Sequence, residues 1–244
     1  MQKSNLENFK IENTKQKYYD SLAEVEDFRV KYETEVNRFV PGYKEEMLPI
    51  IISSLKTISQ NGRTIDLGCG PGNLSAEIFK AIHPKEMIWI DDNPAMVEVA
   101  KQTANIEGIS PIIVNESVES FSADGEFHAV HSSLTFHNIP HTAKELAVKK
   151  VFNMLKSGGT FIWTDLIYFE DKEKQKKEVN YRKQYALDRG ANPTFVEYSF
   201  KKEAENDYPL TIEKTEEMLI KIGFVDIQRI WQSTTFLTVS AKKP

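Results

Sequence analysis

The sequence predicts an α/β fold: a mostly parallel sheet with helices on both faces, helical elements at the N-terminal end and an antiparallel hairpin at the C-terminal end. Three observations carry this. From residue 63 onward, apolar runs of strand length alternate with helix-length segments, the rhythm of a parallel sheet covered on both sides. One run, Thr64-Ile65-Asp66-Leu67, empties into Gly68-Cys69-Gly70-Pro71-Gly72, three glycines in five residues. A second, Ile88-Trp89-Ile90, stops in the carboxylates Asp91 and Asp92.

Residues 1 to about 60 read as a helical cap. A polar segment spans Asn13 to Thr34, and a second helix spans Tyr43 to Ser59, with Met47, Ile50, Ile51, Leu55 and Ile58 on its apolar side. Val40-Pro41-Gly42-Tyr43 between them is a turn. Residues 61–166 form the expected α/β core, with strands at Arg63 to Leu67, Met87 to Ile90, Pro111 to Asn115, Phe127 to Ser132 and Thr160 to Leu166. Asn93-Pro94 offers an N-cap followed by proline at the first helical position. Thr142-Ala143-Lys144-Glu145 reads as a capping box, and Gly158-Gly159 as the end of the helix through Phe152 and Leu155. The rhythm breaks at 167–210, a charged, helix-prone insertion expected to form a lid or substrate wall. Residues 211–244 complete the core: a helix from Ile212 to Ile222 stopped by Gly223, then strands from Val225 to Trp231 and from Thr235 to Ala241. The short polar link makes those two strands a hairpin.

Composition narrows the function. A 40% hydrophobic share with 11% aromatics supports a real core, so global disorder is not expected. The net charge of −5 makes nucleic acid a weaker partner than a small molecule. One cysteine, Cys69, leaves no intrachain disulfide and no cysteine-rich metal site. No apolar run reaches the ~18–20 residues that span a bilayer, and Met1-Gln2-Lys3-Ser4-Asn5 lacks a signal-peptide pattern. A cytoplasmic protein without a membrane partner is expected, and a homodimer is compatible with the sequence.

The two strand ends point to a nucleoside. Glycines let main chain approach a ligand, and Asp91 lies 19 residues after Gly72, the distance at which an acid reaches a ribose in nucleotide-binding α/β units. Dinucleotide loops want a third glycine where Asn73 stands. Asp66, just before the loop, is awkward beside a pyrophosphate but useful beside an ammonium. S-adenosylmethionine has an amino group and a ribose but no phosphate. A nicotinamide dehydrogenase is therefore disfavoured, while a non-catalytic sensor of the cofactor stays open.

Asp66-Leu67-Gly68-Cys69-Gly70-Pro71-Gly72 resembles the first motif of class I S-adenosylmethionine-dependent methyltransferases, and Ile90-Asp91-Asp92-Asn93-Pro94-Ala95-Met96 resembles their second. Asn115-Glu116-Ser117, Ser132 to His137, Leu155 to Gly159 and Ile222-Gly223-Phe224 extend the likeness over roughly residues 40 to 241. The resemblance implies a Rossmann-like methyltransferase sheet, S-adenosyl-L-methionine as cofactor with S-adenosyl-L-homocysteine as product, and a small-molecule acceptor. A narrower likeness, in Val40-Pro41-Gly42-Tyr43, the Asp92-to-Met96 segment and the C-terminal strands, is to the carboxy-S-adenosylmethionine synthase group. The alternative is therefore such a synthase or a tRNA-modifying methyltransferase relative. In that synthase an inserted arginine grips the cofactor's extra carboxylate; here Lys202 or Lys201 aligns, and lysine lacks the bidentate fork. This departure favours ordinary methyl transfer.

The resemblance assigns the cofactor to Tyr43, Asp66, Gly68, Cys69, Gly70, Gly72, Asp91, Asp92, Met96, Glu116, Ser117 and Ser133. Asp66 is to meet the methionine amino group, Asp91 the ribose hydroxyls, Met96 and Glu116 or Ser117 the adenine. Tyr43 is to close over the cofactor. The sulfonium is already a strong electrophile, so alignment of the reacting groups plus one base suffices. His137 is the candidate base, because histidine titrates near neutral pH; Asp165, Tyr168 and Lys202 are candidates for the acceptor. The bland alternatives are a strand-end Asp66 that caps its loop, a core methionine and a structural histidine. No metal site is expected: His141 lies four residues after His137, but Pro140 breaks the helix face between them.

Overall fold

The computed structural model describes residues 28–59 and 61–244. The part of the expected N-terminal cap before Phe28 lies outside them. Helix α1 (Phe28–Phe39) runs past the expected end at Thr34. It gives way at Val40-Pro41-Gly42, where Gly42 takes φ +82° to reverse the chain. The expected Tyr43 to Ser59 helix is present in two parts, a wide π-type turn (Tyr43–Met47) and α2 (Leu48–Ser59).

Seven strands form one sheet: β1 (Arg63–Leu67), β2 (Glu86–Asp91), β3 (Ile112–Asn115), β4 (Phe127–Ser133), β5 (Leu155–Leu166), β6 (Val225–Ser233) and β7 (Phe236–Lys242). Their order is β3-β2-β1-β4-β5-β7-β6. The first five are parallel, and β7 runs antiparallel to both β5 and β6. The hairpin therefore enters the sheet second strand first. Successive residues face opposite sides: Ile88 and Ile90 join the core on one face, Met87 and Trp89 the core on the other. Helices α3 (Asn73–Ile82), α4 (Pro94–Ile106) and α5 (His141–Met154) make the crossovers. The strand order reverses between β1 and β4, and such a switch opens a crevice beyond the strands' carboxyl ends.

Local signals mostly act as expected. The Asn93 side chain caps α4 by accepting from the Ala95 N–H at 2.9 Å, with Pro94 as the first helical residue. The capping box at Thr142 is not made. Helix α5 starts two residues earlier than that cap would place it, at His141, and the Pro140 carbonyl takes the N–H groups of Ala143 and Lys144. Thr142 thus sits inside the first turn, too late to cap it. Gly158-Gly159 does not end α5 either. The helix stops at Met154, Leu155 is already extended, and the glycines fold the start of β5 against β4. A Cβ on Gly159 would lie 2.9 Å from the carbonyl oxygens of both Lys156 and Phe127, so the close approach demands glycine.

The segment after β5 forms two helices, α6 (Lys172–Asp188) and α7 (Pro193–Asn206), capped by the side chains of Asp171 and Asn192. An apolar cluster of Ala186, Ala191, Val196 and Phe200 takes in Phe39, and the Phe39 and Phe195 rings meet edge-on at 5.6 Å. The insertion thereby docks on α1. Helix α8 (Ile212–Ile222) is capped by Thr211 and closed by Gly223 at φ +113°. Among the described residues no helix is long and apolar enough to cross a membrane.

Candidate active site

A cavity of about 1420 Å³ opens at the carboxyl ends of β1, β2 and β4, with α1, α6 and α7 as its outer wall. Its inner floor is the glycine loop. The Gly68 and Cys69 N–H groups both donate to the Ile90 carbonyl, at 2.8 and 2.9 Å. The Gly70 N–H donates to Asp91 Oδ2 at 2.8 Å, and the Asn93 N–H to Asp91 Oδ1 at 2.9 Å. Asp91 thus ties the loop to the end of β2 while lining the cavity. Burial pushes its carboxyl above the ordinary carboxylate value, and the two N–H donors pull against that shift. A half-buried carboxylate beside open main chain is suited to gripping a vicinal diol.

Gly68 takes φ +77°, and a Cβ there would lie 2.1 Å from Thr135 Oγ1. Gly68→Ala is expected to cost about 3 kcal/mol from left-handed strain plus overlap. In a chain of this size that lowers the melting temperature by roughly 6–12 °C, readable by calorimetry.

Several expected cofactor residues do reach the cavity: Gly68, Gly70, Asp91, Asp92, Met96 and Ser133 line it. Asp92 is exposed, and Met96 is buried in a cluster with Phe28 and Val99. Others are set back. Asp66 is only 2% exposed and absent from the lining; its Oδ2 accepts from Ser75 Oγ at 2.6 Å and its Oδ1 lies 3.2 Å from His131 Nδ1. That arrangement braces the loop from beneath. Tyr43 is buried in the apolar cluster that also holds Val40 and Met47, and burial, then Glu33 and Asp66, push its hydroxyl's pKa up. Cys69 is buried with its thiol's pKa raised by burial and then by Asp66 and Asp91. Gly72 turns α3 away at φ +80°, against the Trp89 ring. Glu116 and Ser117 do not line the cavity; the next two residues, Val118 and Glu119, do. The Glu116 N–H is spent on the Asp91 carbonyl, and the Ser117 hydroxyl pairs with that of Ser120.

Across the cavity stands His137, on a short 3₁₀ turn (Phe136–Asn138) after β4. Its Nδ1 lies 2.6 Å from Asp165 Oδ1. Asp165 is buried behind it, absent from the cavity lining, and also accepts from the Leu166 N–H at 2.8 Å and the Trp163 indole at 3.1 Å. Burial alone would raise its carboxyl; the nearby His137, Lys144 and the Leu166 N–H overcome that and hold it below the usual range. A histidine anchored this way can take a proton at its other nitrogen. Lys202 also lines the cavity, bonded to Asp207 and, at 3.3 Å, to Asn138 Oδ1. Tyr168 is not brought in: it is absent from the lining, and its hydroxyl accepts from Lys214 at 3.3 Å.

Four wall residues escaped the sequence reading. Arg182 is 3% exposed, sandwiched between Phe200 and Phe236 at 4.8 and 4.3 Å, and bonded through both terminal nitrogens to Glu203. Its partners Phe200, Glu203 and Phe236 lie 18 or more positions along the chain, so no local pattern marks it. Asn138, Asp207 and Tyr32 are ordinary polar residues until the fold gathers them. Among the described residues no group of histidine, cysteine and carboxylates could hold a metal ion.

Residues 65–159 match a family model described as a methyltransferase domain. The chain is 29% identical over 211 residues to a carboxy-S-adenosyl-L-methionine synthase of Nautilia profundicola, covering 85% of this chain and 88% of the relative. Among solved structures it resembles the YcgJ protein of Bacillus subtilis, with a TM-score of 0.60 at 17% identity over 80% of this chain and 97% of the other. It likewise resembles the S-adenosylmethionine-dependent methyltransferase SibL, with a TM-score of 0.62 at 15% identity over 93% of this chain and 62% of the other.

Proposed function

We infer that this chain, similar over residues 65–159 to a methyltransferase domain and built on the class I methyltransferase fold, is an S-adenosylmethionine-dependent enzyme that methylates a small-molecule acceptor, in the cytoplasm, with His137 as general base. One observation carries this reading: the Gly70–Asp91 grip and His137, held from behind by Asp165, face the same cavity. The lining suits the cofactor. Asp91 presents a carboxylate for the ribose, the Gly68 and Gly70 main chain stands open to the methionyl part, and Met96 and Val118 offer apolar surface for a flat base. When bound, the cofactor supplies a methyl group on a sulfonium, which departs as a neutral thioether.

This chain's residues do the rest. Asp91 orients the ribose, and Asp66 holds the loop through Ser75 rather than touching the ligand. His137 receives the acceptor's proton at Nε2, and Asp165 steadies the charge that results. Helices α6 and α7 enclose the acceptor and keep water out, the role proposed for the 167–210 insertion as a whole. These walls come from a single chain, so the reading does not require a homodimer. The net charge of −5 supports a small acceptor over a nucleic acid.

The relative's name favours a second reading, synthesis of a carboxylated cofactor. Against it, the two cations that the insertion lends to the cavity are already matched, Arg182 by Glu203 and Lys202 by Asp207, while Lys201 is two-thirds exposed and near Glu205. Mass spectrometry of the ligand that copurifies with the native protein decides between them. S-adenosylmethionine or its demethylated product is expected; the carboxylated form would overturn the methyl-transfer reading.

A further inference from the structure

We propose that Lys202, acting through Asn138 and Asp207, sets the tautomer of His137, with the ring hydrogen on Nδ1 and Nε2 left unprotonated as the acceptor. Lys202 and Asn138 are thus positioning residues for the base, a role that rests on the reading of His137 given above.

The hydrogen-bond chain fixes each proton in turn. An ammonium only donates, so the oxygen of the Asn138 amide faces Lys202 Nζ at 3.3 Å. The amide nitrogen then points the other way, where it gives to the Thr135 carbonyl at 3.1 Å and to His137 Nε2 at 3.2 Å. Since an amide NH₂ cannot accept, Nε2 presents its lone pair. The opposite side of the ring agrees. Asp165 takes the Leu166 N–H and the Trp163 indole and faces Nδ1 at 2.6 Å; an ionised carboxylate only accepts, so Nδ1 carries the hydrogen.

Charge completes the argument. The groups facing the ring are Asp165 from β5, Asp207 and Lys202 from α7 and its end, and Lys144 from α5, whose field reaches both acids. Asp207 Oδ2 lies 3.9 Å from Nε2 with its side chain 5% exposed. Left alone, a carboxylate at that distance would favour the tautomer with its hydrogen on Nε2, which offers no lone pair there. Lys202 pairs with the other Asp207 oxygen and offsets that pull. One lysine therefore both aims the Asn138 donor at Nε2 and neutralises the acid that would favour a hydrogen there.

Long-range ¹H–¹⁵N spectra of the full chain with ¹⁵N-labelled histidine read this directly, with His137 assigned through His137→Gln. At pH 7 the wild-type protein is expected to show a protonated Nδ1 and an unprotonated Nε2. In Lys202→Met the unprotonated Nε2 signal should fall about tenfold. Lys202→Arg should retain the wild-type pattern, and Lys202→Met with Asp207→Asn should restore it by removing the unmatched acid. A wild-type proton on Nε2, or a Lys202→Met spectrum unchanged from wild type, overturns the proposal. The double variant and the wild-type spectrum decide the matter even where Lys202→Met alone does not fold. If His137→Gln keeps full turnover while the spectra behave as stated, the base reading fails and this one stands.

Discussion

Asp91→Ala is expected to weaken S-adenosylmethionine binding by roughly 100-fold, measured by titration calorimetry on protein stripped of ligand. The carboxylate would give up two charge-assisted bonds to ribose hydroxyls, each about 1.5 kcal/mol, and about 3 kcal/mol is two decades of affinity. The same change releases the Gly70 and Asn93 N–H groups that Asp91 holds, so the loop itself loosens. Asp92→Ala serves as the control; that side chain is exposed, and a change under about threefold is expected. Acid should weaken binding in wild type as well. Burial raises the folded-state value of Asp91, so its carboxylate takes up a proton at a pH above the ordinary carboxylate range. A raised acid contributes stability below its unfolded value and loses that contribution as pH rises through the folded one. Acidification therefore favours the free protein through this group while removing the acceptor that the ribose needs. The thermal shift produced by S-adenosylmethionine should shrink on lowering the pH toward 4, and a shift independent of pH would argue that Asp91 does not touch the ligand.

What the sequence made legible follows from how local each cause is. Four of the five parallel strands announced themselves because strands buried on both faces need continuous apolar runs, and Ile65, Trp89, Val130 and Ile162 are each wholly buried; β3, at the sheet edge, showed as a short apolar run although Ile112 is half exposed. The Gly68 and Gly72 turns were legible because left-handed backbone beside Thr135 and Trp89 tolerates little else. The misread features were competitions decided by one neighbour. Pro140 took the N-cap that Thr142 was expected to fill, and the Phe127 carbonyl, far away in sequence, explains Gly159. The α6 and α7 boundaries hid in a segment whose charge pattern is helix-prone throughout.

The site divides along the same line. Asp91 and its glycines sit on consecutive elements with a fixed spacing, so their meeting could be expected. The partner of His137 could not: Asp165 lies 28 positions away on β5 and becomes a neighbour only because β4 and β5 pair in parallel, with Ser133 beside Thr164. Tyr168, three residues beyond Asp165, leaves the strand on the far side and meets Lys214 instead. Glu203 and Asp207, which also line the cavity, come from the insertion, whose docking depends on Phe39 and Phe195 rather than on any motif.

Removing either half of the His137–Asp165 pair should separate catalysis from folding. With an acceptor found by screening, His137→Gln is expected to lower kcat about 10²- to 10⁴-fold, the range for loss of a general base, with S-adenosylmethionine affinity changed less than threefold. S-adenosylhomocysteine formation gives the rate and calorimetry the affinity. His137 is partly open to the cavity, so its stability cost should stay near 1 kcal/mol. Asp165→Asn should lower kcat comparably, because an amide oxygen holds the Nδ1–H more weakly and stabilises the imidazolium less. Its stability cost is larger, about 3 kcal/mol, since a buried acid that faces His137 and Lys144 leaves both uncompensated. The pH dependence gives that cost a signature. The folded-state value of Asp165 is depressed, so the stability it contributes is present above the ordinary carboxylate value near 4 and is lost as pH falls through the folded one. Urea denaturation should therefore show wild type and Asp165→Asn well separated at pH 7 and converging below about pH 4. Convergence together with an unimpaired kcat would make the pair a structural brace. Parallel losses of rate in both variants, at unchanged cofactor affinity, place the proton transfer on His137.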